Sequence, residues 1–255
     1  MIKHIPNALT LLNLLSGCIA VVLAVNNNFV AAALFVFVGI FFDFFDGFAA
    51  RKLKVQSDLG LQLDSLADMV TSGVVPGIVM FKLLELTLET PMLVNSENDW
   101  GSSMDFKGST YTYNILPLLG LAITLASAYR LAKFNIDEDQ QTYFKGLPTP
   151  ANTLLIISLP LILEFQNNDT MNSIILNKWF LILLTILSCY LLNSKIKLFA
   201  LKFKDFSFKN NATRYIFVML CLVLLIVLKF AAIPIIILVY ISMSVFDNLT
   251  SNKTF

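Results

Sequence analysis

Eight stretches of this chain are apolar for long enough to cross a bilayer, near residues 8–26, 29–48, 64–86, 112–134, 150–165, 178–193, 213–230 and 231–247. No other feature limits the fold as severely, because a chain in hydrocarbon must satisfy its backbone polar groups internally and runs of this length do so as helices. The expected fold class is all-α, a polytopic membrane helix bundle of about eight transmembrane helices, with a six-helix core followed by C-terminal helices. The fifth and sixth stretches are short, and the last two are separated only around Lys229 and Pro234, so six or seven spans remain open. Composition agrees: 57% hydrophobic residues, 22 Phe and 14% charged residues, with a mean hydropathy of +0.75, exclude an ordinary soluble domain.

The basic residues set the orientation. With eight spans and the N-terminus inside, 14 of the 18 Lys and Arg fall on one side, including Arg51, Lys52, Lys54, Arg130, Lys133, Lys145 and the run from Lys195 to Arg214. Only Lys82, Lys107, Lys178 and Lys229 fall on the other, which predicts both termini on the cytoplasmic side. The first segment follows Met-Ile-Lys-His, lacks a small-residue cleavage site and reads as a retained helix. The connection from about Leu86 to Tyr111 carries Glu89, Glu97, Asp99 and Asp105, as suits an outer loop. No internal repeat is visible, so residues 1–255 read as one membrane domain whose core covers about 5–165.

Several chemistries drop out early. Cys18, Cys189 and Cys221 lie in apolar runs without paired spacing, as buried thiols do. His4 is the only histidine, which leaves zinc hydrolysis and histidine relays without residues. A net charge of +1 gives no reason to expect nucleic acid as a partner. The basic 195–214 loop reads as a contact for anionic membrane lipids.

What remains is an acidic cluster at the membrane edge. Asp43 and Asp46 are three residues apart, Asp64 and Asp68 four apart, and either spacing puts both carboxylates of a pair on one helical face. The second helix is expected to end at Arg51 and the third to begin near Asp64, so that the two pairs face each other across a short loop. Arg51, Lys52 and Lys54 could neutralise one or two such carboxylates, but four at helical spacing with interleaved glycines call for divalent cations. Two oxygen-rich pairs suit Mg²⁺ or Mn²⁺, and two metals about 4 Å apart recur in displacement at phosphorus. Gly47, Ala50 and Gly60 leave room for a phosphate group to approach the backbone, and Arg51 offers a fork for phosphate oxygens. Spacing alone leaves ion transport and other metal-dependent chemistry open.

The run Asp43-x-x-Asp46-Gly47-x-x-Ala50-Arg51, eight residues, Gly60-x-x-x-Asp64-x-x-x-Asp68 resembles, position for position, the signature of the CDP-alcohol phosphotransferases. Further segments are similar to the bacterial branch of that family that forms phosphatidylserine: Ile5-Pro-Asn7 through Thr10 and Asn13, Leu63 to Asp68 continuing to Gly73 and Pro76, Tyr129 to Asn135, and Phe144 to Pro150. Two departures stand out. Met69-Val-Thr71-Ser72 occupies the place of a serine followed by phenylalanine, and Lys133 the place of an arginine. The resemblance implies a membrane-embedded enzyme, homodimeric in a bacterial inner membrane, with its active site on the cytoplasmic side. Its implied substrates are CDP-diacylglycerol and L-serine, its products phosphatidylserine and CMP, and its cofactors two Mg²⁺ or Mn²⁺ ions.

On that reading Asp43, Asp46, Asp64 and Asp68 hold the metals, with Asp68 also the general base on the serine hydroxyl. Asn7, Thr10, Asp43, Gly47, Ala50, Arg51 and Gly60 bind CDP-diacylglycerol. Arg130 and Lys133, at the same end of the fourth helix, are the expected partners of the serine carboxylate, although positive-inside anchoring would also account for them. Glycerol 3-phosphate or an inositol phosphate as acceptor, or a divalent-cation transporter built on the same aspartates, are the competing readings. Gly146, Pro148 and Pro150 are expected to shape the turn into the next helix.

Overall fold

The chain is described by a computed structural model over residues 4–88, 115–136, 144–166, 168–198 and 208–251. Glu89, Glu97, Asp99, Asp105, Lys202 and Lys204 lie outside the described residues, as do the side chains of Lys209 and Arg214. The expected polytopic helical architecture is what the described residues adopt, apart from one two-residue strand pair.

Helices α1 (Ile5–Val25) and α2 (Phe29–Leu53) pack as an antiparallel pair. Their contact is made by small residues, with Gly17, Ala20 and Ala24 of α1 and Ala32, Ala33 and Gly39 of α2 all buried. Where lipid is as apolar as leucine, such close backbone approach supplies the packing energy that water exclusion supplies elsewhere. Asn28 caps α2 by accepting from the Ala31 amide at 3.2 Å. At the far end, Lys54 turns the chain in the left-handed conformation, φ 55°, and Ser57 Oγ accepts from the Gly60 amide at 3.1 Å to start the next helix.

That next helix differs from the expectation at its start. It begins at Asp58, not near Asp64, and α2 continues past Arg51 to Leu53. Hydropathy locates the apolar part of a span, whereas here a serine cap starts the helix two turns earlier, in the polar layer. Asp64 and Asp68 are therefore held inside α3 (Asp58–Asp68) and not at a fraying end. The chain then widens into a π-helical turn, Met69–Val74, and continues as α4 (Val75–Leu86), so that Asp58–Leu86 forms one span. Its α4 half is the centre of the bundle: Val75, Met80, Leu83 and Leu84 are fully buried against Ile123, Ile156 and Leu181 from surrounding helices. Phe41, Phe44, Leu183 and Ile226 instead point outward with more than half their surface exposed, as lipid-facing side chains would.

A 3₁₀ turn at Leu116–Leu121 leads into α5 (Ala122–Ile136). Residues Phe144–Lys145 (β1) pair antiparallel with Lys197–Leu198 (β2), a two-residue contact with no apolar alternation to announce it. Between the strands lie α6 (Thr149–Phe165), a short α7 (Asp169–Ile175) and α8 (Lys178–Asn193), the last two meeting at a bend of 60°. Gly146 has φ 76°, and a Cβ there would stand 2.6 Å from the Leu192 carbonyl oxygen, so this turn between β1 and α6 requires glycine. Pro148 and Pro150 start α6, as expected.

Helices α9 (Phe208–Leu228) and α10 (Ala232–Ser251) settle the question of the last two stretches. The segment Tyr215–Phe246 is long and apolar enough to be one span, but a straight helix would separate Phe217 from Tyr240 by about 35 Å. Their ring centroids are 5.6 Å apart, so the chain turns back at Lys229, φ 48°. Gln166 clasps this turn, donating to the Leu228 carbonyl at 2.9 Å and accepting from the Ala231 amide at 2.8 Å.

Candidate active site

The four aspartates meet α1 at one end of the bundle, where the ends of α2, α3, α5, α6 and α8 also gather. Asp46 is 5% exposed and its carboxylate accepts from the Thr10 hydroxyl at 2.5 Å. Asp43 and Asp64 approach each other from facing helices. Carboxylate oxygens of Asp43, Asp46 and Asp64 all lie within 4.8 Å of one another. None of the three has a lysine or arginine at ion-pair distance among the described residues, where the Lys82–Glu85 pair at 3.0 Å is on α4. Three converging hard-oxygen donors without a positive side chain against them fit a divalent cation.

Asp68 stands apart from that trio. It accepts from Asn13 Nδ2 at 3.4 Å, and Asn13 Oδ1 in turn accepts from the Thr71 hydroxyl at 2.8 Å. Asn13 and Thr71 are both buried. Sequence reasoning noted Asn13 only as part of an N-terminal run and gave it no role. The available signal was Thr10 and Asn13 three residues apart on an otherwise apolar helix, a polar stripe that needs polar partners.

Next to the trio opens a cavity of about 430 Å³, lined by Asn7, Thr10, Asp46, Gly47, Ala50, Arg51, Gly60 and Asp64 together with the 55–58 loop. Of the residues expected at the nucleotide-lipid, only Asp43 is absent from its wall, lying behind Asp46 and Asp64. Asn7 sits against α3, so close that a Cβ at Gly60 would come within 3.3 Å of its Oδ1. Arg51 is exposed at the rim. The cavity thus offers carboxylates and a guanidinium, the latter lying over Gly47, where a Cβ would come 3.4 Å from one of its nitrogens.

The two residues expected at the acceptor separate by environment. Arg130 is 8% exposed, near enough to Asp68 for their charges to interact, and its Nε has no hydrogen-bond partner. Lys133, one turn on, is exposed. Both border a water-sized cavity of about 20 Å³ together with Lys145 and Asn193. Asn135 and Ser65, bonded at 2.9 Å, tie the end of α5 to α3 and fix Arg130 relative to the aspartates.

A match to the family described as CDP-alcohol phosphatidyltransferase spans residues 3–191. The chain is 33% identical over 199 residues, 76% of its length and 89% of the relative's, to a protein named CDP-diacylglycerol–serine O-phosphatidyltransferase from Bacillus subtilis. A protein of the same name from Methanocaldococcus jannaschii is 28% identical over 67% of this chain and 66% of its own length. An archaetidylserine synthase from Methanothermobacter thermautotrophicus is 29% identical over 60% of this chain and 56% of its own. The four aspartates, Arg51, Arg130 and Lys133 fall inside the residues matched to the family, and Asn193 lies just beyond them.

Proposed function

Since this chain belongs to the CDP-alcohol phosphatidyltransferase family, we propose that it transfers the phosphatidyl group of CDP-diacylglycerol to L-serine, giving phosphatidylserine and CMP. The observation that carries the reading is the convergence of Asp43, Asp46 and Asp64 beside a cavity walled by Gly47, Ala50, Arg51 and Gly60. Serine is favoured among acceptors by the names of the relatives and by the modest positive charge near Asp68, a buried Arg130 with Lys133 and Lys145 beyond it. A transporter is disfavoured because Asp46 and Asp64 line an open cavity that also holds Arg51, not an ion site at broken helices in mid-membrane.

The acyl chains remain in lipid while the cytidine and pyrophosphate lie over Gly47 and Ala50, with Arg51 hydrogen-bonded to phosphate oxygens. Asp43, Asp46 and Asp64 would hold divalent ions, Mg²⁺ or Mn²⁺, while Asp68, engaged by Asn13, stands beside them. Such ions, when bound, supply neutralisation of the pyrophosphate charge. Arg130 pairs with the serine carboxylate and aims the hydroxyl at the β-phosphorus. Asp68 takes the hydroxyl proton as the new O–P bond forms and CMP leaves in line. The site faces the cytoplasm of a bacterial inner membrane, since Arg51, Lys52, Lys54, Lys133 and Lys195 collect at this end of the bundle. The functional unit is a single domain over 1–255, working as a homodimer.

The test is to incubate purified protein with CDP-diacylglycerol and a panel of serine, glycerol 3-phosphate and inositol phosphate, and to identify the lipid formed by mass spectrometry. Phosphatidylserine alone, with CMP in equal amount, is expected. Product from another alcohol would move the acceptor, and no CMP from any would remove the reaction class.

A further inference from the structure

The four carboxylates are held in two different ways, and α1 makes the difference. Asp43 and Asp64 face each other, whereas Thr10 reaches Asp46 and Asn13, one turn along the same helix, reaches Asp68. We propose that Asn13 is a positioning residue for Asp68, locked by Thr71, so that Asp68 presents Oδ2 and not Oδ1 to the acceptor hydroxyl. This rests on the reading of Asp68 as the group that takes the acceptor's proton.

The amide of Asn13 is fully buried and cannot turn to water for partners. Its Oδ1 accepts the Thr71 hydroxyl at 2.8 Å while its Nδ2 donates to Asp68 Oδ1 at 3.4 Å. Reversing the amide would set two acceptor oxygens, Asn13 Oδ1 and Asp68 Oδ1, against each other with no proton between them. Only one orientation therefore serves both neighbours, and it commits Oδ1 of Asp68.

Thr71 can lock the amide because of two glycines. A Cβ at Gly17 would fall 2.4 Å from Thr71 Oγ1, and one at Gly39 would fall 2.8 Å from Thr71 Cγ2 and 2.9 Å from Asn13 Oδ1. The threonine is thus lodged between α1 and α2. It also accepts a second constraint, with its hydroxyl 3.2 Å from the Asn13 carbonyl oxygen. The π-helical turn begins at Met69, directly after Asp68, and Asp68 and Thr71, three residues apart, meet the two ends of the same amide.

In the reaction the acceptor's O–H bond breaks, its proton passes to Asp68 Oδ2, and its electron pair forms the O–P bond as the bond to CMP breaks. An Asp68 carboxylate free to rotate would spend part of its time with the wrong oxygen or the wrong lone pair toward the hydroxyl. Loss of the lock should consequently slow turnover without loosening the lipid, whose contacts lie on the Asp46 side of α1.

The experiment compares Asn13→Leu, Thr71→Val and Thr71→Ser, each verified as monodisperse in detergent, with kcat measured on the acceptor that the parent protein uses and CDP-diacylglycerol affinity measured directly. Asn13→Leu and Thr71→Val are expected to lower kcat roughly tenfold or more, the scale of one charge-assisted hydrogen bond, with lipid affinity within about twofold. Thr71→Ser, which keeps the hydroxyl, should keep kcat near the parent value. If Asn13→Leu does not fold, the Thr71→Val and Thr71→Ser pair decides. Unchanged kcat in the folded variants, an equal loss of kcat and lipid affinity, or a Thr71→Ser protein as slow as Thr71→Val would overturn the proposal. Transfer to an alcohol other than serine would instead overturn the proposed substrate while leaving this comparison readable.

Discussion

Individual side chains divide the work at this site, and the division can be measured. Asp64→Asn removes one of three converging carboxylates, so binding of Mn²⁺, followed by its paramagnetic resonance, is expected to weaken by tenfold or more, roughly the loss of one charged ligand. Asp68→Asn, whose carboxylate lies outside the trio, should leave Mn²⁺ binding far less affected while lowering kcat by about a hundredfold or more. Equal loss of metal in both variants would argue that Asp68 belongs to the metal group. Arg130 and Lys133 were paired by sequence position, but burial ranks them. Arg130→Ala is predicted to raise the serine KM by about tenfold to a hundredfold, and Lys133→Ala, at an exposed and screened position, by a few fold at most. Steady-state kinetics with each substrate varied separately reads both, and a larger effect at Lys133 would contradict the ranking. The aspartates, Gly47, Arg51 and Gly60 were legible because their spacing is local. Asn13 was not, since which carboxylate an amide reaches depends on how α1 packs against a π-helical turn 55 residues away.

At the scale of elements, the apolar runs forecast the spans but not their polar ends. The start of α3 depends on Ser57, whose cap acts in a segment too polar for a hydropathy window. The β1–β2 pairing and the Gln166 clasp join residues far apart in the chain, and no local pattern encodes them. The break at Lys229 was visible only as a charge in an apolar run. The contact of α1, α2 and the π-helical turn is the tightest of these features, and it gives a test of its own. Gly39→Ala would place a methyl 2.8 Å from Thr71 Cγ2, and overpacking of this kind costs about 1–3 kcal/mol. Thermal unfolding in detergent should show a lowered midpoint, and adding Thr71→Ser, which removes that methyl partner, should recover part of it. A Gly39→Ala protein as stable as the parent would mean that the helices separate at no cost.

For the whole molecule, a bundle with helix ends gathered at one face explains why so much of the candidate site's placement was legible from its spacing alone. Two aspartate claws need only α2 and α3 to meet, and a four-residue connection, Lys54 to Ser57, forces them to do so. The cavity and the placement of Arg130 needed the remaining helices, because they arise where α1, α3 and α5 are tied together by Asn7 against Gly60 and by Asn135 to Ser65. The measurement that bears most directly on the account uses L-serine carrying ¹⁸O in its hydroxyl, with purified protein, CDP-diacylglycerol and Mg²⁺ or Mn²⁺. Direct attack of the hydroxyl on the β-phosphorus predicts phosphatidylserine that retains the ¹⁸O and CMP that is unlabelled, with formation abolished by a chelator and restored by the metal. Phosphatidic acid with a seryl-CMP product, label lost from the lipid, or undiminished turnover in chelator would contradict it.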